Sequence, residues 1–281
     1  MNDVEYNNCK VCNNTVYLIN EKHNLVKCEN CKLVFCKTKY SQSEFTKLYD
    51  DLYNLENSKY KNYSIDEYEM LLSEKKIKIG LNRSRLLKKH VLNKKVKSVL
   101  ELGSGVGLMG SYIRQKDKSI KYIGIEIDEK SCEKAKSLGL DCVNGDFSYI
   151  DKIDESFDVI MLWEVIEHLQ DLSLFLKLAY KKLNGNGKII LSTPNYNKIY
   201  NYSNREKDSI FQDAPPIHLN FFTKNNIKNI FKYEGFQNTN VIIKRIPYLR
   251  LIKLDFYINV LKAAIHKYHG STIFFTAERK D

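Results

Sequence analysis

The feature that most restricts this chain is the regular alternation that begins near residue 96. Residues 96–102 read as a strand, 103–107 as a glycine turn and 108–115 as a helix. A second strand over 121–126, a helix over 128–138, a short strand over 141–144 and a strand over 157–163 follow. A helix over 173–183 and a strand over 187–193 complete the run. Strands alternating with helices must lie parallel, because a parallel pair needs a long crossover and a helix supplies it. The expectation is an α/β domain over 95–281 built on a doubly covered sheet.

In such sheets ligands bind beyond the carboxyl ends of the strands. The first strand ends in Glu101-Leu-Gly-Ser-Gly-Val-Gly107. Gly103, Gly105 and Gly107, with Ser104 between them, let the backbone approach a ligand closely. Glu126 ends the second strand, nineteen residues past Gly107, where an acid can accept hydrogen bonds from both ribose hydroxyls. Ile127 follows it. Asp146 and Phe147 lie beyond the third strand, placed for an adenine amino group and its ring. A dinucleotide site would use G-x-G-x-x-G to seat a pyrophosphate. Here the spacing is G-x-G-x-G, and Glu101 would repel a pyrophosphate while suiting an ammonium or sulfonium. Three acids at three strand ends therefore favour S-adenosylmethionine over NAD. Ordinary capping acids would not account for all three together with the glycines.

Cys9-Lys-Val-Cys12 and Cys28-Glu-Asn-Cys31 are two C-x2-C pairs separated by fifteen residues. That spacing reads as a tetrahedral zinc site on Cys9, Cys12, Cys28 and Cys31. Residues 15–19 and 24–27 read as two short strands between the pairs. A module over 1–40 is too small to fold on its own core, so Zn2+ would supply the missing free energy, about 10–16 kcal/mol for structural zinc. Four thiolates leave no open position, so the ion would be structural. Cys36, Cys132 and Cys142 read as buried thiols.

The chain has 281 residues, 43% hydrophobic and 28% charged, which suits a folded core and excludes wholesale disorder. No apolar run approaches the roughly 20 residues of a membrane span, and Met1-Asn2-Asp3-Val4-Glu5 lacks the basic and apolar regions of a secretory signal. The expectation is a cytoplasmic setting. The net charge is +11. Its lysines are spread as pairs such as Lys88-Lys89 and Lys181-Lys182, without an RNA-binding or helix-turn-helix signature, which argues against a nucleic-acid partner. Nothing in the sequence indicates an oligomeric state.

These motifs resemble the class I S-adenosylmethionine-dependent methyltransferases, and more narrowly a bacterial subgroup with an N-terminal four-cysteine zinc-binding module. The resemblance runs through Leu33-Val-Phe35, Lys47-Leu-Tyr-Asp-Asp51, Leu100-Glu-Leu-Gly-Ser-Gly105, Phe157-Asp-Val-Ile160, Trp163-Glu-Val-Ile-Glu-His168, Ser192-Thr-Pro-Asn195, His218-Leu-Asn-Phe-Phe-Thr223 and Gly235-Phe236. Similar proteins often carry Gly after each C-x2-C pair, where this chain has Asn13 and Lys32. The resemblance implies a Rossmann-like seven-stranded methyltransferase sheet whose last strand is antiparallel, with residues 237–244 and 272–278 as strands six and seven. Residues 41–94 read as a helical linker or cap. Residues 196–216 and 248–268 read as substrate-side insertions. The first would roof the acceptor pocket, and the second would be an apolar-basic helix packed on the domain.

Trp163 closes the fourth strand, where the methyl end of the cofactor is expected. Beyond it, Glu164, Glu167 and His168 would share one face if the segment is helical. The string resembles that of ubiquinone-pathway O-methyltransferases and of small-RNA 2′-O-methyltransferases, which bind a divalent ion there. In the RNA enzymes a later His completes the site, and His218 matches it. Three readings stand side by side. Glu164, Glu167, His168 and His218 hold Mg2+ or Mn2+; or His168 is a general base oriented by Glu164 or Glu167; or the acids are charges of a first helical turn and His168 is a satisfied partner. The leading function is methyl transfer to a hydroxyl or amine of a small metabolite. A sugar-like acceptor, as in glycan-precursor biosynthesis, rests on analogy with other zinc-module methyltransferases. The alternatives are an RNA or protein methyltransferase, motivated by the +11 charge, and a non-catalytic zinc- and nucleotide-binding module.

Overall fold

A computed structural model of the chain describes residues 4–41, 43–45, 47, 59–73, 76–198, 214–243, 257–258, 260–261, 264–265 and 269–280. The strands are β1 (Val4–Glu5), β2 (Val16–Asn20), β3 (Leu25–Cys28), β4 (Val34–Cys36), β5 (Thr38–Lys39), β6 (Ser98–Leu102), β7 (Lys121–Glu126), β8 (Asp141–Asn144), β9 (Phe157–Trp163), β10 (Leu183–Pro194), β11 (Asn220–Phe221), β12 (Gln237–Ile243) and β13 (Thr272–Glu278). The helices are α1 (Lys59–Leu72), α2 (Leu81–His90), α3 (Leu108–Lys116), α4 (Glu129–Ser137), α5 (Leu172–Lys182) and α6 (Lys224–Tyr233). Two 3-10 turns, Phe147–Lys152 and Ile166–His168, join them.

The main sheet has seven strands in the order β12-β13-β10-β9-β6-β7-β8, with the last strand antiparallel as expected. Its central strand β9 is buried along nearly its whole length, as befits a parallel strand covered on both faces. A second sheet of order β11-β4-β3-β2 holds the cysteine segment, and β1 pairs with β5.

Two compact units divide the chain. One comprises Ser41–Trp163, Leu174–Ile190 and Ala277–Asp281 and carries the glycine loop. The other comprises Met1–Tyr40, Glu164–Ser173 and Leu191–Thr276 and carries the cysteines.

In the glycine-loop unit, β6 lies parallel between β7 and β9, with Glu101 opposite Gly124 and Met161. Gly124 is required by the neighbouring loop, because a Cβ there would stand 2.6 Å from the Ser104 hydroxyl. The Asp128 carboxylate caps α4 by accepting from the Ser131 N–H at 2.8 Å.

In the cysteine unit, α6 starts at a reciprocal capping box between Thr223 and Asn226. It buries Ile227, Ile230 and Phe231, and the Phe231 ring packs 4.5 Å from Phe275 and 5.1 Å from Phe236. Each such side chain contributes about 1.5–3 kcal/mol of burial free energy.

The two residues that replace glycine after the C-x2-C pairs both adopt the left-handed conformation, with φ 54° at Asn13 and 63° at Lys32. Asn tolerates it through its short polar side chain. Lys32 carries a cost of roughly 1–2 kcal/mol for its Cβ, partly offset because its ammonium reaches the Glu29 carbonyl.

The helical expectation for the segment after Trp163 is corrected. Glu164 has a left-handed backbone, φ 56°, and only Ile166–His168 forms a single 3-10 turn. The spacing that would have put Glu164 on the face of Glu167 and His168 therefore does not apply. Most of the 196–216 insertion lies outside the described residues. So does most of 248–268, whose described residues Tyr257, Ile258, Val260, Leu261 and Ile265 are exposed. The four-residue spacing of Tyr257, Leu261 and Ile265 makes a helical stripe but does not by itself say which face is covered.

Candidate functional site

The glycine loop folds back on the two buried acids of its unit. The Gly103 and Ser104 amides donate to the Ile125 carbonyl, which ties the loop to β7. The Gly105 N–H donates to Glu126 Oε2 at 2.7 Å, and the Asp128 N–H to Glu126 Oε1 at 3.0 Å. Glu126 is buried, and burial raises its pKa against the pull of those two donors. A carboxylate offers about four acceptor sites, so a vicinal diol can be accepted beside these backbone donors. Gly105 has φ +54° with open space around it, so it is the backbone conformation that demands glycine. Gly107 has φ +88°, and a Cβ there would strike Leu140 at 2.3 Å.

Glu101 is also buried, and burial pushes its pKa up to about 8 even though the Tyr122 hydroxyl donates to it at 2.5 Å. Arg83 from α2 contributes a nearby positive charge and lays its guanidinium 5.4 Å from the centre of the Trp163 ring. A neutral acid in a dry site ionises readily when a cation arrives. This donor set fits the cationic amino-acid end and the ribose of S-adenosylmethionine.

Asp146 is exposed, and its Oδ1 accepts from the Ser148 amide and hydroxyl at 2.8 and 2.6 Å, so it caps the Phe147–Lys152 turn. The Phe147 ring meets Phe175 edge-on at 6.1 Å. Ile127 is 40% exposed beside Glu126, which leaves an apolar surface free for a base.

Cys9, Cys12, Cys28 and Cys31 are all buried, and their sulfurs lie within 4.8 Å of one another. The Cys9–Cys31 and Cys12–Cys28 separations are 3.6 and 3.4 Å. Tetrahedral zinc with sulfur at about 2.3 Å would place sulfurs about 3.8 Å apart. Hydrogen bonding from Cys31 lowers the Cys9 thiol to about 5, and burial raises Cys28 to about 11. Four thiolates cannot share this volume without a cation among them, so the cluster fits a metal by its donor set as well as by its spacing.

The second cluster stands in the same unit. Glu167, His168 and His218 offer donor atoms within 4.8 Å of one another, and Glu164 is not part of that group. The Glu167 carboxylate is buried and accepts from the Thr193 hydroxyl at 2.9 Å. Glu164 instead accepts from the Ser192 hydroxyl at 2.6 Å. His168 Nδ1 lies 2.8 Å from the Ile217 carbonyl. A carbonyl can only accept, so Nδ1 carries a hydrogen, and in the neutral ring Nε2 is then the nitrogen with the lone pair. The His168 and His218 rings meet edge-on at 4.8 Å, and His218 is lowered to about 3, chiefly by burial and further by the neighbouring His168. Two imidazoles beside a carboxylate can ligate a divalent ion in their neutral form, and Nε2 of a neutral His168 can also accept a proton.

Tyr122 on Glu101, Arg83 on Trp163, Thr193 on Glu167 and the Ile217 carbonyl on His168 were not singled out from the sequence. Thr193 lies within the Ser192-Thr-Pro-Asn195 string. The others had no local signal, since a strand Tyr and a helix Arg are ordinary in their elements.

Residues 74–241 match the family described as "Methyltransferase domain". The match spans more than half of the chain, and the chain belongs to this family. The class so defined is the S-adenosylmethionine-dependent methyltransferases, transferases of group EC 2.1.1. The chain is 32% identical over 101 residues to a probable S-adenosylmethionine-dependent methyltransferase of Mycolicibacterium smegmatis, covering 35% of this chain and 38% of that protein. It is 31% identical over 105 residues to the ubiquinone biosynthesis O-methyltransferase of Bradyrhizobium diazoefficiens, covering 35% and 40%. The matched stretches thus span well under half the length of these relatives. The Haemonchus contortus phosphoethanolamine N-methyltransferase 2, solved with S-adenosyl-L-methionine, shares the fold with a TM-score of 0.56 at 17% identity, over 83% of this chain and 60% of that one. Among the described residues no helix is long and apolar enough to cross a membrane.

Proposed function

We propose that this chain moves a methyl group from S-adenosylmethionine to a hydroxyl, or an amine, of a small sugar-like metabolite. The reading takes Glu101, Gly103, Ser104, Gly105, Gly107, Glu126, Ile127, Asp146, Phe147 and Trp163 as the cofactor residues. The observation that carries the acceptor half is the cluster of Glu167, His168 and His218, which begins four residues after Trp163 in the chain. Glu167 and the two imidazoles would hold Mg2+ or Mn2+. Such an ion would lower the pKa of a bound acceptor hydroxyl. The Thr193 hydroxyl fixes the Glu167 carboxylate, and the Ile217 carbonyl fixes the His168 tautomer. The cysteine quartet would hold structural Zn2+. The same tautomer supports a second reading, in which Nε2 of His168 takes the acceptor proton itself.

The test is incubation of the protein with methyl-labelled cofactor and whole-cell extract, followed by mass spectrometry of the labelled small molecules, RNA and protein. A label found in a low-mass hydroxylated compound supports the proposal; a label found only in RNA or protein overturns it. With that acceptor in hand, EDTA should abolish turnover and Mg2+ or Mn2+ should restore it. Turnover indifferent to EDTA, and falling below a pKa near the ~6.5 of imidazole, would instead assign His168 as the base.

A further inference from the structure

The turn that carries Glu167 and His168 is a single 3-10 turn preceded by a left-handed residue. A three-residue turn of this kind has no stability of its own. Besides the Thr193 and Ile217 contacts, what holds it is the cysteine sheet. Strand β11, which starts two residues after His218, pairs antiparallel with β4, placing Asn220 opposite Phe35 and Phe221 opposite Val34. From that strand the Asn220 Nδ2 donates to three carbonyls of the turn, Ile166 at 3.1 Å, Glu167 at 3.4 Å and Leu169 at 2.8 Å. The Leu219 N–H donates to the Glu167 carbonyl at 2.8 Å, and the Leu219 carbonyl accepts from the Cys36 N–H at 2.9 Å.

The far end of the turn is tied in the same way. The Gln170 side-chain amide exchanges two hydrogen bonds with the Tyr40 backbone, accepting at 2.7 Å and donating at 2.8 Å. The Gln170 carbonyl accepts from Lys10 Nζ at 3.1 Å and from the Tyr6 hydroxyl at 3.0 Å. Lys10 lies inside the first C-x2-C pair, and its ammonium stands 5.5 and 5.3 Å from the Tyr6 and Phe35 rings.

Asn220 has one further property. It is 1% exposed, and its Oδ1 is buried without a hydrogen-bond partner among the described residues. A buried oxygen left unsatisfied is a cost that a leucine of similar size would not carry. That cost is carried for the sake of the amide's two N–H donors, which are aimed at the carbonyls of the turn.

We propose that Asn220 is a positioning residue, and that through it and Gln170 the cysteine-quartet sheet sets the geometry of Glu167 and His168. The small N-terminal sheet is then a scaffold for the reacting cluster, and the inference rests on the reading of that cluster given above.

The test uses the full-length zinc-loaded protein and long-range 1H–15N spectra of its histidine rings, which report the tautomer directly. In the wild type His168 should appear as a single Nδ1–H tautomer. In Asn220→Leu that single signature should be lost and replaced by a mixture, while zinc content and S-adenosylmethionine affinity by calorimetry stay at wild-type values. Gln170→Leu, at a half-buried position, should have the same effect in weaker form, and it decides the matter if Asn220→Leu does not fold. An unchanged His168 signature in a folded, zinc-loaded variant overturns the proposal. A wild type in which His168 is not the Nδ1–H tautomer would instead overturn the underlying reading of the cluster, so the two failures are distinguishable.

Discussion

In the glycine-loop unit, the residues from Glu101 to Glu126 form one continuous stretch of β6, loop, α3 and β7. In the cysteine unit, the donors Glu167, His168 and His218 come from segments about fifty residues apart and are joined by a sheet that includes residues from the first forty. The first site is made by local geometry, because a strand end, a turn and the next strand end cannot lie far from one another. The second is made by tertiary contact, and it exists only where β11 docks on β4. The first should therefore be robust and separable residue by residue, whereas the second should depend on the integrity of its scaffold.

The largest effect expected from that contrast is at the cysteines. Protein purified without added zinc should carry one zinc per chain, and Cys28→Ser should lose it and unfold the β2–β4 sheet. The free energy at stake is on the order of the ~10 kcal/mol or more of structural zinc sites. Metal analysis and thermal unfolding measure it. Less than about half an equivalent of zinc, with four thiols titrating in the native protein, would remove the scaffold from the comparison.

Next in size is the reacting cluster. His168→Ala should lower kcat by about 10²–10⁴ while leaving S-adenosylmethionine affinity nearly unchanged, since a lone-pair donor in the acceptor half contributes to the chemical step and not to cofactor binding. A His168→Ala protein with normal kcat would leave the residue structural. Glu126→Ala should do the reverse in kind and less in size. Its carboxylate is already held by the Gly105 and Asp128 amides, so the ribose hydroxyls meet a preorganised acceptor. Its loss should weaken cofactor binding by about 2–3 kcal/mol. Unchanged affinity in a folded variant would mean that the ribose lies elsewhere.

The same contrast explains what could be read from the sequence. The strands β7, β8 and β9 and the placement of Glu101 and Glu126 follow from period, glycine spacing and strand ends, all local signals, whereas β13 follows from the family resemblance. The cysteine quartet was legible because C-x2-C spacing is itself local geometry. Glu164 departs from helical spacing because its backbone adopts φ 56°, and nothing in Trp-Glu-Val announces a left-handed glutamate. Asn220 lies within the His218–Thr223 string, but neither its role nor that of Gln170 is legible locally, because their partners lie 51 to 54 and 130 residues away.

The smallest expected effect concerns protons at Glu101. Burial raises its folded pKa to about 8, from an ordinary carboxylate value near 4.5. Between those values the free protein holds a proton that the unfolded chain does not, so this group's contribution to stability falls as pH rises from about 4.5 and levels off above about 8. A cationic ligand prefers the ionised carboxylate. Binding at pH 6–7 should therefore release a proton, and affinity should rise with pH by up to about tenfold per unit. The rise should end as pH approaches 8, where the carboxylate is already ionised and the ligand's own α-amino group, with a pKa near 7.7–8.0, begins to lose its charge. Calorimetry of S-adenosylmethionine binding in buffers of different ionisation enthalpy counts the proton. Glu101→Gln should abolish the release and flatten the profile while keeping a side chain of the same size. A wild type that releases no proton between pH 6 and 7 would place the cation away from Glu101 and leave that acid as a partner of Tyr122 alone.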